Sequence, residues 1–162
     1  MGHSTPCFRC IVMRAVIQRV KKASVEIEGQ SVGKIGPGLL MFLGIRTDDT
    51  FRDIEWMVEK IVNLRVFETD EGRLDKSLLD VKGALLLVSQ FTLYGDCSKG
   101  RRPSFTDAMA AGDAKKVFEL FVKKARERVD KVETGVFQAT MDVALVNDGP
   151  VTLIIDSRSQ SR

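Results

Sequence analysis

Apolar and polar residues alternate through residues 13–20 and again through 23–27, the period-2 pattern of strands that bury one face. Gly29-Gln30, lying between Glu28 and Ser31, suits a two-residue turn with glycine first and so predicts a hairpin. After Gly36-Pro37-Gly38, the stretch 39–45 is short, apolar and bounded by glycine, which predicts a buried strand rather than a helix. From Thr50 the period lengthens. Phe51, Ile54, Val58, Ile61, Val62 and Arg65 fall at helical intervals, and Asp48, Asp49 or Thr50 can cap the first exposed amides. Residues 84–94 run apolar until Ser89, Gln90 and Thr92 interrupt them, predicting a central strand whose end meets something polar. A second helix is predicted over 113–129, with Val117, Leu120, Phe121, Ala125 and Val129 on one face and Lys115, Lys116, Lys123, Arg126 and Arg128 on the remainder. Phe137, Ala139, Met141, Val143 and Leu145 then alternate with Gln138, Thr140 and Asp142, predicting a half-buried strand, and a final strand is predicted over 151–155.

Strands outnumber helices, and two substantial helices are spliced between strand groups. The pattern therefore predicts a single α/β domain, with mixed sheets packed face to face and two main helices. Residues 1–12 show neither period and are set aside as a leader or extension, residues 13–157 form the domain, and 158–162 make a polar tail.

Composition narrows the class. A hydrophobic fraction of 44% with 29% charged residues belongs to a folded chain and not a disordered one. No apolar run approaches the ~20 residues that cross a bilayer, and nothing in the first twelve residues resembles the apolar core of a secretory signal. The cytoplasm is the expected compartment, with no membrane contact. Three cysteines, Cys7, Cys10 and Cys97, are an odd number and are expected to be reduced thiols. The Cys7-Phe8-Arg9-Cys10 spacing lacks a second Cys or His pair, so neither a metal nor any other cofactor is expected. A net charge of +3 is too small to show nucleic-acid binding by itself, so local patches must carry that argument.

The candidate chemistry is bounded by what the chain lacks. Its one histidine, His3, lies in the set-aside leader, so neither a Ser-His-Asp nor a Cys-His unit can be assembled from the domain. Hydrolysis would have to rely on oriented backbone amides and on a reactive hydroxyl brought by the substrate. Both suit an RNA ester.

Five segments then form a recognisable order: residues 13–20 (MRAVIQRV), 89–93 (SQFTL), 99–105 (KGRRPSF), 134–137 (TGVF) and 147–152 (NDGPVT). Together they closely resemble the D-aminoacyl-tRNA deacylase family, also called D-tyrosyl-tRNA deacylase, over residues 13–155. The resemblance implies a three-layer β/β/α fold and a homodimer with its site at the subunit interface. It implies that Ser89, Gln90, Phe91 and Thr92 form the catalytic pocket, which holds the aminoacyl group and the 3′-terminal adenosine of an aminoacylated tRNA while backbone amides polarise the ester. Thr92 without a base is a poor nucleophile, so the ribose 2′-hydroxyl is the better source of assistance.

Gly149 and Pro150 are implied to be a cis pair that enters the partner's pocket and leaves no room for an L side chain. A gate of that kind cannot exclude glycine, so hydrolysis of glycyl-tRNA is also implied. Phe137, Ala139 and Met141 are implied to line the pocket wall. Lys99, Arg101 and Arg102 follow the pocket strand, where arginine forks suit phosphate oxygens without reading bases. Two rival readings remain: an RNA-binding module without hydrolysis, which would need neither residues 89–92 nor the Gly-Pro pair, and a structural dimer for which the basic loop is dispensable.

Overall fold

The computed structural model describes residues 13–157. The expectations made for residues 1–12 and 158–162, including those for His3, Cys7 and Cys10, lie outside the described residues.

The chain forms β1 (Arg14–Ile27), β2 (Gln30–Ile35), β3 (Gly38–Gly44), α1 (Phe51–Asn63), β4 (Phe67–Glu68), β5 (Leu74–Lys76), β6 (Ala84–Ser89), a 3-10 turn (Phe91–Tyr94), α2 (Ala111–Arg126), β7 (Val132–Thr134) and β8 (Asp142–Asp156). Six strands make one mixed sheet in the order β2-β1-β3-β6-β7, with β8 paired to β1, while β4 and β5 form a separate small ribbon. The α/β single domain with two main helices is observed. Its face-to-face layers are two limbs of this single sheet, turned over at β1.

The switch of burial within β1 makes that turn. Ala15 and Ile17 are buried in the core that packs the helices, whereas Val20, Ala23 and Val25 belong to a second core with Ile35, Leu40, Leu86 and Val88. Strands β3 and β6 contribute to both cores, with Leu39, Met41, Leu85 and Leu87 on the helix side and Leu40, Leu86 and Val88 on the other. Being buried on both faces, they read as continuous apolar runs. The two limbs approach so closely that a Cβ on Gly33 of β2 would lie 2.8 Å from the carbonyl oxygen of Thr134 in β7.

Three boundaries differ from the sequence reading. The hairpin turn is Glu28-Gly29 rather than Gly29-Gln30: Ile27 pairs with Gln30, and both turn residues have positive φ, 50° and 78°. Those are the signs a type I′ turn requires, with glycine in the second position. Residues 21–22 do not divide β1, which runs unbroken over fourteen residues. The strands expected near 137–145 and over 151–155 become one, β8, beginning only at Asp142. Its register on β1 runs from Arg14↔Asp156 to Gln18↔Thr152 and resumes at Val20↔Asn147, so residues 148–151 bulge out opposite Arg19.

Helix α1 begins where the capping signal placed it. The Asp53 carboxylate accepts hydrogen bonds from the Thr50 amide (2.7 Å) and hydroxyl (3.0 Å), and the other carboxylate oxygen accepts from Ser157 Oγ at 2.8 Å. The Ser157 hydroxyl in turn accepts the Met13 amide at 3.0 Å. The segments that open β1, close β8 and start α1 are thus joined by one buried carboxylate.

Candidate active site

Strand β6 ends at Ser89, and the chain turns there into the 3-10 helix Phe91–Tyr94 instead of continuing as a strand to residue 94. The backbone supplies the reason: the Gln90 amide donates to Leu43 O at 2.8 Å, the last rung against β3, and beyond Gly44 there is no neighbouring strand to extend. Strand alternation, which would set Ser89 and Phe91 on one face and Gln90 and Thr92 on the other, accordingly does not apply. Phe91 and Thr92 open the new turn, and among the described residues neither amide has a carbonyl partner.

A cleft of about 690 Å³ lies against this break. Ser89, Gln90 and Phe91 form one wall, and Phe137, Ala139 and Met141 form the opposite one. The floor comes from the start of α2 and the segment before it, where Ala108, Ala110, Ala111 and Ala114 are all small and leave the volume open. Among the described residues no ionisable side chain lines the cleft, and its polar side chains are those of Ser89, Gln90 and Gln138.

The opposite wall is not a strand. Residues 135–141 form a loop in which Gln138 has a φ of 64°, and Ala139 N donates to Val136 O at 3.2 Å. Apolar residues alternate there because each meets a different neighbour: the Phe137 ring lies 6.2 Å from that of Phe118 on α2, while Met141 packs against the second core. Gly135 makes room, since a Cβ on it would sit 2.6 Å from Met141 Sδ.

Six candidates lie outside the cleft walls. Thr92 is exposed and its hydroxyl accepts a hydrogen bond from the Gln90 side-chain amide. Lys99, Arg101 and Arg102 are exposed on a loop closed by paired backbone bonds between Asp96 and Ser104, 2.7 and 2.9 Å. Hydrogen bonds from the Ser98 hydroxyl and amide hold the Asp96 carboxyl below the usual carboxylate range. The loop flanks the cleft, because Phe105 just beyond it packs edge-on to Phe91 with ring centroids 5.2 Å apart. Gly149 and Pro150 are exposed on the β8 bulge and joined by a cis peptide bond.

Arg19 and Asn147 were missed by the sequence reading. The Arg19 side chain, 5% exposed, reaches under the bulge and donates to Asp148 O (3.0 Å) and Val66 O (2.8 Å), with Glu68 Oε1 at 3.3 Å. Asn147 Oδ1 accepts the Val151 amide at 3.1 Å, closing the bulge from within. A signal for Arg19 was present: period 2 places it on the same face as Ala15 and Ile17, a charge at a core position that requires partners.

The molecule is thus a mixed α/β domain with a mainly apolar cleft at a strand end, walled by uncharged side chains among the described residues. Residues 16–156 match the family described as D-Tyr-tRNA(Tyr) deacylase, and the chain belongs to that family. It is 60% identical over 148 residues to a D-aminoacyl-tRNA deacylase of Kosmotoga olearia, covering 91% of this chain and 99% of the relative. A D-aminoacyl-tRNA deacylase of Thermosipho africanus is 58% identical, covering 90% and 98%. Among solved structures, one titled c-Myc DNA Unwinding Element Binding Protein is similar at a TM-score of 0.85 and 42% identity, covering 90% of this chain and 99% of that one. Another, titled a probable eukaryotic D-amino acid tRNA deacylase, shares the fold at a TM-score of 0.78 and 16% identity, covering 90% and 100%.

Proposed function

We propose that this chain hydrolyses the ester linking a D-amino acid to the 3′ end of tRNA, acting as a cytoplasmic homodimer without a cofactor. The observation that carries the reading is the cleft of about 690 Å³ with no ionisable side chain in its wall among the described residues, in a chain whose relatives are D-aminoacyl-tRNA deacylases. That volume lies in the usual range for small-ligand sites, roughly 300–1,000 Å³, and suits an aminoacylated adenosine.

Proton transfer then falls to the substrate. Water adds to the ester carbonyl carbon and the bond from that carbon to the 3′ oxygen breaks. The ribose 2′-hydroxyl relays the proton lost by water to the departing 3′ oxygen. The amides of Phe91 and Thr92 are the donors open to the developing oxyanion, since that of Gln90 is already engaged. Thr92 itself has no general base beside it, which argues against a nucleophilic role.

The Gly149-Pro150 bulge is exposed and absent from the walls of its own protomer's cleft, which favours delivery to a second copy. There its carbonyl oxygens would meet the α-amino group and exclude an L side chain. Glycyl-tRNA, with no side chain to exclude, would be hydrolysed as well. Lys99, Arg101 and Arg102 would meet tRNA phosphates beside the cleft.

Purified protein incubated with D-tyrosyl-tRNA and L-tyrosyl-tRNA in parallel tests this reading. Free tRNA should accumulate only from the D substrate, and a D ester that survives at the uncatalysed rate would refute it.

A further inference from the structure

We infer that a second groove, along α2, is a phosphate track for the 3′ strand of the tRNA. The inference rests on the deacylase reading for the identity of the nucleic acid. This groove, about 470 Å³, adjoins the cleft through a shared wall, because Phe137 lines both. Lys115, Lys123 and Arg126 line it against a single anion, Glu119. All three cations are exposed, and none has an ion-pair partner among the described residues.

Helix electrostatics do not account for the whole set. Cations in the last turn of α2 complement the helix dipole, which covers Lys123 and Arg126. Lys115 stands near the start of the helix, where the dipole offers a cation nothing. Eleven residues separate Lys115 from Arg126, so at 1.5 Å per residue the positive line is about 16 Å long. Val136, 46% exposed, gives the groove an apolar surface against which a base can bury part of its face. A terminal adenosine in the cleft must continue into a chain of phosphates, and this line of unpaired cations begins at the cleft's own wall.

The test uses the full chain and uncharged tRNA, with affinity measured from about 50 to 200 mM salt. Lys115→Ala/Lys123→Ala/Arg126→Ala is compared with a control, Lys21→Gln/Lys34→Gln/Lys76→Gln, that removes the same charge elsewhere. At roughly 0.7 per single-stranded phosphate contact, the groove variant should flatten the log–log salt slope by about 2 and weaken low-salt binding at least about tenfold. The control should stay close to wild type, and Glu119→Gln should tighten binding. An unchanged slope in the groove variant, or equal losses in both triple variants, would overturn the inference. So would a groove-dependent preference for duplex DNA over tRNA.

D-tyrosyl-adenosine, which carries no phosphate, separates the groove from the chemistry. The groove variant should hydrolyse it at the wild-type rate, and a parallel loss there would overturn the phosphate role. If wild type leaves that ester intact while the groove variant loses tRNA affinity, the groove stands and the deacylase reading fails.

Discussion

The two regions that carry the candidate site are built in opposite ways. Residues 89–92 sit at the end of β6, a strand whose residues 84–88 are all buried, and the first three of them line a cleft in their own chain. Residues 147–152 sit on β8, a half-exposed strand, and bulge away from their own cleft above a buried arginine. The first region is anchored to the core through β6 and the backbone hydrogen bond from the Gln90 amide to Leu43 O. The second is held by specific hydrogen bonds, one donated by Arg19 to Asp148 O and one accepted by Asn147 Oδ1 from the Val151 amide, which fix a backbone segment that packing alone would leave loose. Under the proposed function, reactivity and selectivity would fall to separately stabilised parts, so each can be perturbed with the other intact.

That separation can be broken or sharpened by experiment. The largest effect is expected from the substrate side: replacing the terminal ribose 2′-hydroxyl by hydrogen should slow single-turnover hydrolysis by about a hundredfold or more, given the worth of a correctly placed intramolecular group. A rate within a few-fold of normal would return the chemistry to the protein. Next is Arg19→Ala, which leaves Asp148 O and Val66 O without their donor and should cost about 2–4 kcal/mol in urea unfolding. The exposed Arg65→Ala, whose partner is Asp75 at 2.9 Å, should cost under about 1 kcal/mol by the same measurement. Equal costs would show that the bulge is not specifically held.

Thr92→Ala tests the first region alone. It removes a hydroxyl that is hydrogen-bonded to the Gln90 side chain and should leave the deacylation rate within about threefold of wild type, whereas complete loss in a folded variant would revive a nucleophilic threonine. The smallest expected effect is none. With no ionisable group in the cleft wall among the described residues, kcat/KM should show no protonation step of the protein between about pH 6 and 8, where a histidine base would titrate, leaving only the ionisation of the substrate's own α-amino group near the top of that range. A bell-shaped profile centred there would bring in a group from outside the cleft.

Much of this was legible in the residues. Both helices, the Thr50 cap and the buried strands β3 and β6 follow from periodicity, because each has one environment along its length. Residues 135–141 misled for the opposite reason. Phe137, Ala139 and Met141 alternate like a strand, yet their neighbours belong to a helix, a cleft and a second core, and alternation cannot report that difference. The end of β6 was hidden too, because it depends on β3 having stopped at Gly44, a fact of pairing and not of local composition. Arg19 was visible as an anomaly of parity, but the carbonyls it serves come from residues 66 and 148, far along the chain.

The clasp between residues 13 and 157 has a consequence for the order of the chain. Met13 N donates to Ser157 Oγ and Ser157 N to Met13 O, so these two positions are in contact although 144 residues separate them. A short flexible peptide joining them would close the domain into a ring with little distortion, and the exposed Glu28-Gly29 turn offers a place to reopen it. Such a rearranged molecule should melt as cooperatively as the original; a broad transition would mean that the β1–β2 linkage guides assembly as well as connecting it.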